Sequence, residues 1–259
     1  RFRSGMRASL PLIRLPHRWR RIALRVARPV LVLGGGGARG FAHLGVLEVF
    51  ERERIPLRAI AGTSMGAVVG GLYASGLDAR RIEREFESID WQDALSDRPS
   101  RENVSFRRRQ EDREFLVRVP LGLGGGRLLL PTGLIQGQKL QQLLRKLTLP
   151  VAHVEDFAHL PTRFRAVATD LETGEAAGLA QGDLASALRA SLSAPGIFAP
   201  AERDGRLLVD GGITDNLPIQ IARRMGVDVL VVVDVGFPLT SRDRLGSVNR
   251  IHVRLAPGG

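Results

Sequence analysis

Three short stretches of the 259-residue chain combine residue types and spacings suited to nucleophilic chemistry. The first is "GTSMG", Gly62 to Gly66, a G-x-S-x-G pattern. It follows a strand-like run at Leu57–Ala61 and precedes a helical run that begins near Met65. A serine on such a strand–turn–helix elbow stands at a helix N-terminus, whose partial positive charge favours a developing oxyanion. Ser64 is therefore the candidate nucleophile, and the alternative is an accidental serine in a glycine-rich turn.

The second stretch, "GGGGARG" from Gly34 to Gly40, contains Gly35-x-Gly37-x-x-Gly40. That spacing matches a dinucleotide fingerprint, which also requires an acidic residue at the end of the next strand to hold a ribose. The next strand ends in Gly62 without a carboxylate, so the nucleotide reading fails. No Gly-Lys-Ser/Thr follows, which removes a phosphate-binding P-loop. An oxyanion hole remains: amides of a glycine loop can approach a carbonyl oxygen as it becomes negative. Arg39 adds a positive charge beside that loop.

A serine needs a base. The five histidines are His17, His43, His153, His159 and His252, and His43 falls in the helix after the glycine loop, where a lone histidine is more often structural. The third stretch, "LLVDGGITDNLP" from Leu207 to Pro218, offers a carboxylate instead. Asp210 ends a strand, and Gly211 and Gly212 let it approach another loop; the plainer reading is an Asp-Gly turn. Asn216 and Pro218 read as the opening of a helix. The order Ser64, Asp210, His252 also fits an α/β-hydrolase triad, although His252 lies in the strand-like run "IHVRL".

The elements that must position these residues alternate. Val30–Leu33 reads as a buried strand, and Phe41–Glu53 as a helix with Leu44, Leu47 and Phe50 at core spacing. Helices are predicted through Ser75, over Ala79–Ile89, around Leu140, Leu143, Leu144 and Leu147, and near 183–191 and 218–225. Further strands are predicted at Phe115–Val119, Arg127–Leu130, Phe164–Ala168, Arg206–Val209 and Val229–Val235. Such alternation predicts a parallel sheet with helices on its faces. Residues 92–114, rich in charge of both signs, read as a solvated excursion.

The net charge of +11 is unevenly placed. Nine arginines and no acidic residue lie in residues 1–30, and the other 29 basic residues face 27 acidic ones. A basic segment is thus attached to a nearly neutral body. Within it Leu15, Trp19, Ile22 and Val26 share a helical face flanked by arginines. That pattern suits an anionic membrane surface or packing on the body. Its aromatic residues are few, Phe2 and Trp19, which argues against nucleic acid as a partner. The absence of cysteine removes disulfides and thiolate chemistry. "SLPLIRLP", broken by Arg14 and two prolines, does not read as an intact signal-peptide core.

With "GGGARG", "GTSMG" and "DGG" in that order, the chain resembles the patatin-like phospholipase family across about Pro29 to Pro238. The resemblance implies a three-layer α/β/α fold with a mostly parallel central sheet and a Ser–Asp dyad. Ser64 would be the nucleophile and Asp210 its base; the amides of Gly35, Gly36 and Gly37 would form the oxyanion hole. Arg39 would support oxyanion or phosphate charge, with Gly40, Gly62, Gly66, Gly211 and Gly212 completing the motifs. It implies hydrolysis of phospholipid acyl esters at a membrane surface without cofactor or metal, and a possible homodimer. The segments "DWQDALSDRP", "FRRRQEDREFLV", "GLIQGQKL" and "FRAVATDLETGE" look like patatin passenger domains of single-chain type V secreted proteins of the outer membrane. They suggest export in a Gram-negative bacterium, with a cytoplasmic location as the alternative. The expected organisation is a basic segment at 1–28, a catalytic domain at 29–248 and an atypical tail at 249–259.

Overall fold

Strand β1 (Val30–Leu33) is buried at every position, and its side chains alternate between two separate apolar clusters. Leu31 and Leu33 join the larger cluster; Val30 and Val32 join a smaller one. A strand covered on both faces reads as a continuous apolar run, which is what "VLVL" is. The computed structural model describes residues 29–96, 122–124, 127–129, 135–226 and 229–236.

Four strands run parallel in the spatial order β9 (Leu230–Val233), β1, β2 (Ala59–Thr63), β5 (Arg163–Asp170). Three shorter strands add antiparallel partners: β6 (Ala176–Leu179) and β8 (Arg206–Asp210) on β5, and β7 (Ala201–Arg203) on β8. A separate hairpin pairs β3 (Gly122–Gly124) with β4 (Arg127–Leu129). The central sheet is thus mostly parallel, as expected.

The larger cluster collects α1 (Ala42–Arg52), α2 (Met65–Ala74), α3 (Ala79–Ser88), α5 (Gln138–Thr148) and α6 (Leu184–Ser191) against one face of the sheet. The short helix α4 (Trp91–Ala94) lies between α3 and α5 in the chain. On the other face α7 (Ile219–Arg223) places Ala222 over Val30, Val32, Ala59 and Ala61, with Met225 just beyond it. Helices on both faces give the three layers.

Local signals set the helix starts. The carboxylate of Asp78 accepts the Arg81 amide at the start of α3, and that of Asp183 accepts the Ala185 amide at the start of α6. Among the described residues, no helix is long and apolar enough to cross a membrane.

Several boundaries differ from the sequence reading. The second strand lies two residues later than Leu57–Ala61, which puts Thr63 inside the sheet and the turn directly at Ser64. The glycine loop closes in a 3₁₀ turn, Gly37–Phe41, so α1 begins at Ala42. Strands β6 and β7 gave no clear signal, being short and, in β6, mostly alanine and glycine. The expected strand at Phe115–Val119, most of the 92–114 excursion, the arginine-rich segment and the C-terminal tail lie outside the described residues.

Candidate active site

Strand β5 is the template on which the site is assembled. Its residues 163–167 pair with β2, and its residues 168–170 pair with β8. β6 pairs with residues 166–169 and overlaps both, so it occupies the opposite edge. β2 and β8 therefore share one edge and meet end to end. Thr63 pairs with Val167 and Asp210 pairs with the very next residue, Ala168.

At this junction the chain turns twice. After Thr63 it leaves the sheet through Ser64, at φ 54° and ψ −125°, and enters α2. A non-glycine residue at such a φ is uncommon and is held only where the surroundings demand it. The demand is visible in the packing. A Cβ on Gly66 would fall 2.3 Å from the Leu33 carbonyl oxygen, so the first turn of α2 lies directly against the end of β1. After Asp210 the chain folds into a 3₁₀ turn, Gly211–Ile213. A Cβ on Gly211 would fall 2.3 Å from the Val167 carbonyl oxygen. Gly40 and Gly62 likewise face Met65 and the backbone of Gly66 with no room for a side chain.

The outcome is a direct contact. Ser64 Oγ donates to Asp210 Oδ2 at 2.6 Å, and the Gly212 amide donates to Asp210 Oδ1 at 2.7 Å. Ser64 is buried, with 7% of its surface exposed. Burial pushes the Asp210 carboxyl above the usual carboxylate range, and the hydrogen bonds from Ser64 and Gly212 oppose that rise. A carboxylate destabilised by burial is a stronger base than one in water.

The glycine loop runs beside this pair. An added Cβ on Gly35 would come within 3.1 Å of Ser64 Cβ. Of the three amides expected to face an oxyanion, that of Gly35 donates to the Asn216 carbonyl at 3.3 Å and holds the loop. The amides of Gly36 and Gly37 have no hydrogen-bond partner among the described residues. Arg39 is exposed on the same 3₁₀ turn.

The patatin-like phospholipase family profile matches residues 31–223. The chain belongs to this family. An uncharacterised NTE family protein of Mycobacterium tuberculosis is 36% identical over 212 residues, covering 80% of this chain and 49% of its own. Lysophospholipase NTE1 of Saccharomyces cerevisiae is 32% identical over 226 residues, 85% of this chain but 12% of the yeast protein. The chain thus spans half or less of these relatives. Among solved structures, VipD from Legionella pneumophila superposes with a TM-score of 0.52 at 18% identity, over 85% of this chain and 52% of that one. This likeness is one of fold. The relatives named here carry NTE-family descriptions, and none is described as a type V passenger domain.

Several residues of this patatin-like site had no site role from sequence. Asn216, read as the opening of a helix, instead holds the glycine loop: its Nδ2 donates to the Gly35 carbonyl at 3.2 Å. Helix α7 begins only at Ile219, after Pro218. Thr63 Oγ1 donates to the Asp215 carbonyl at 2.9 Å, fastening the chain beyond Asp210 to the elbow strand. Ser191 and Ser193 hold the backbone of the dyad from α6 and the residues after it. A weak signal existed, since "RASLSAP" sets two serines two apart at the end of a helix-like run.

The histidines separate cleanly. His43 is fully buried, and its Nε2 lies 2.8 Å from the Gly34 carbonyl, to which it donates. Burial pushes its pKa down, against the raising effect of that bond, so the ring is neutral. It fastens α1 to the glycine loop, the structural role expected of it. His252 lies outside the described residues.

Proposed function

We propose that this chain is a lipid acyl hydrolase of the phospholipase A type, with Ser64 as nucleophile and Asp210 as its base. The observation that carries the reading is the 2.6 Å hydrogen bond from Ser64 Oγ to Asp210 Oδ2. Membership of a family described as patatin-like phospholipases supports the substrate class, as does the yeast relative, described as a lysophospholipase.

Ser64 Oγ attacks the ester carbonyl as its proton passes to Asp210. The carbonyl oxygen becomes an oxyanion facing the amides of Gly36 and Gly37 and the N-terminus of α2. Collapse of the intermediate breaks the ester C–O bond, and Asp210 returns the proton to the leaving alcohol oxygen. Water, deprotonated by Asp210, then attacks the acyl-enzyme and frees the fatty acid and Ser64. Arg39, on the loop that faces the oxyanion, offers positive charge to the lipid phosphate. No metal or cofactor enters these steps. The substrate surface is a phospholipid membrane, which the basic segment before Pro29 is suited to approach.

The test is hydrolysis of a soluble p-nitrophenyl ester and of phosphatidylcholine vesicles by four proteins: wild type, Ser64→Ala, Asp210→Asn and His252→Ala. Activity lost in the first two variants and kept in the third supports the dyad. Loss in His252→Ala would move the reading to a Ser64–Asp210–His252 triad. Vesicle binding without turnover in the wild type would leave a lipid-binding module. A serine-reactive phosphonate must form its adduct on Ser64.

A further inference from the structure

The mechanism above leaves one buried hydroxyl unused. Ser191 ends α6 with none of its surface exposed. Its Oγ accepts the Ser64 amide at 2.9 Å and donates to the Val167 carbonyl at 2.5 Å. An amide can only donate and a carbonyl can only accept, so the direction of this hydroxyl proton is fixed.

The position of that hydroxyl matters. The β2–β5 ladder ends at the pair Thr63 and Val167, and the next residue along β2 is Ser64. There the side chain of Ser191 stands between the Ser64 N–H and the Val167 carbonyl, where a ladder would bring amide and carbonyl together. The spacer lets Ser64 leave the sheet at φ 54° while its buried amide stays satisfied. Asp210 is held from the same stretch, since its amide donates to the Ser193 carbonyl at 2.9 Å. The Arg189 guanidinium in turn donates to Ser193 Oγ and to the carbonyls of Gln136 and Ala199. Residues 191–193 thus anchor the backbone amide of each member of the dyad.

We propose that Ser191 is a positioning residue that holds the Ser64 elbow in its strained, reactive geometry, an inference that rests on Ser64 being the nucleophile. Without the hydroxyl, the Ser64 amide turns toward Val167 and Oγ swings away from both Asp210 and the glycine loop. The loss falls on the chemical step and not on substrate binding, because Ser191 is sealed from the surface.

The experiment compares full-chain wild type, Ser191→Ala, Ser191→Cys and Ser64→Ala on a soluble p-nitrophenyl ester. Ser191→Ala is expected to lower kcat by about 10- to 100-fold, the cost of a small misplacement of reacting groups. Its KM should stay within about twofold of wild type, as for an interaction made only in the transition state. Phosphonate labelling of Ser64 should slow in step with kcat. Ser191→Cys keeps the shape with a weaker donor and acceptor, so its kcat should fall between wild type and Ala; it carries the test if the Ala variant does not fold. A folded Ser191→Ala with wild-type kcat, a loss confined to KM, or a Cys variant below Ala each overturns the proposal. If Ser64→Ala itself retains turnover, the nucleophile assignment fails first, and that outcome is distinct from the other three.

Discussion

Ser64 and Asp210 are 146 positions apart in the chain, and their side chains meet at 2.6 Å. The contact follows from the sheet: Thr63 and Asp210 occupy consecutive positions along one edge of β5. Two strand ends therefore deliver a hydroxyl and a carboxylate to one point, without a histidine between them. In the proposed mechanism, this direct serine–carboxylate pair makes the protonation of Asp210 the governing variable of the site.

Asp210→Asn should abolish ester hydrolysis and raise stability at neutral pH. Burial lifts the Asp210 carboxyl, so the native state holds that proton more tightly than the unfolded chain does. The associated stability is full below the unfolded pKa and is lost as pH rises through the folded one. At pH 8 the wild type carries a half-buried carboxylate that the amide variant lacks. Calorimetry at pH 8 should show a higher melting temperature for the variant, each kcal/mol gained being worth about 2–4 °C in a domain of this size. A lower melting temperature would contradict the assignment of Asp210 as a charged, desolvated group.

The same shift sets the acid limb of activity. With Asp210 as the proposed base, turnover would require its ionised form, so kcat/KM should fall as pH drops through the raised carboxyl value. The midpoint should lie above about 3.9, the ordinary aspartate value. A profile of p-nitrophenyl ester hydrolysis between pH 3.5 and 8, corrected for any unfolding, reads it directly. A limb at or below the ordinary value would show that burial does not govern this group.

The G-x-S-x-G elbow, the glycine loop and the Asp-Gly-Gly turn were legible in sequence because each depends on residue type at fixed spacing. Ser64 needs small neighbours on a tight turn, and "GTSMG" displays them. The three-layer plan was legible because β1 and β2 are short apolar runs on either side of the amphipathic α1. What remained hidden is the set of partners chosen by tertiary contact. The Gly35 amide is taken by Asn216, 181 residues away, and no local pattern marks that pairing. Ser191 is invisible for the same reason: a serine at a helix end is ordinary until Val167 and Ser64 are brought to either side of it. The weak strands β6 and β7 exist because β5 and β8 offer them edges.

His43 should make the fold acid-sensitive. Its ring is fully buried and its Nδ1 has no hydrogen-bond partner among the described residues. Burial lowers its pKa, so the unfolded chain takes up the proton first as pH falls. The stability it contributes is complete above about 6.5, the unfolded value, and is lost progressively as pH falls toward the folded one. Urea unfolding at pH 7.5 and pH 5.0 should show this loss in the wild type. His43→Gln keeps a donor toward the Gly34 carbonyl but does not titrate, and the pH-dependent part of the loss should shrink. An identical loss in both proteins would place the acid sensitivity elsewhere.

Two glycine substitutions should move stability in opposite directions, and the contrast tests how tightly the elbow is packed. At Gly66 an added methyl would meet the Leu33 and Gly34 carbonyl oxygens at 2.3 Å and 2.6 Å, both belonging to backbone that the sheet holds in place. Gly66→Ala should therefore push α2 off β1, cost about 1–3 kcal/mol as overpacking does, and disturb Ser64 two residues away. At Gly45, exposed within α1, nothing lies within 4 Å of the added methyl. Gly45→Ala should gain about 0.5–1 kcal/mol from reduced backbone entropy in the unfolded chain and better helix propensity, with esterase activity unchanged. Denaturant midpoints and ester turnover measured on both variants decide the matter. A Gly66→Ala protein as stable and active as wild type would mean that α2 does not need this close approach to present the serine.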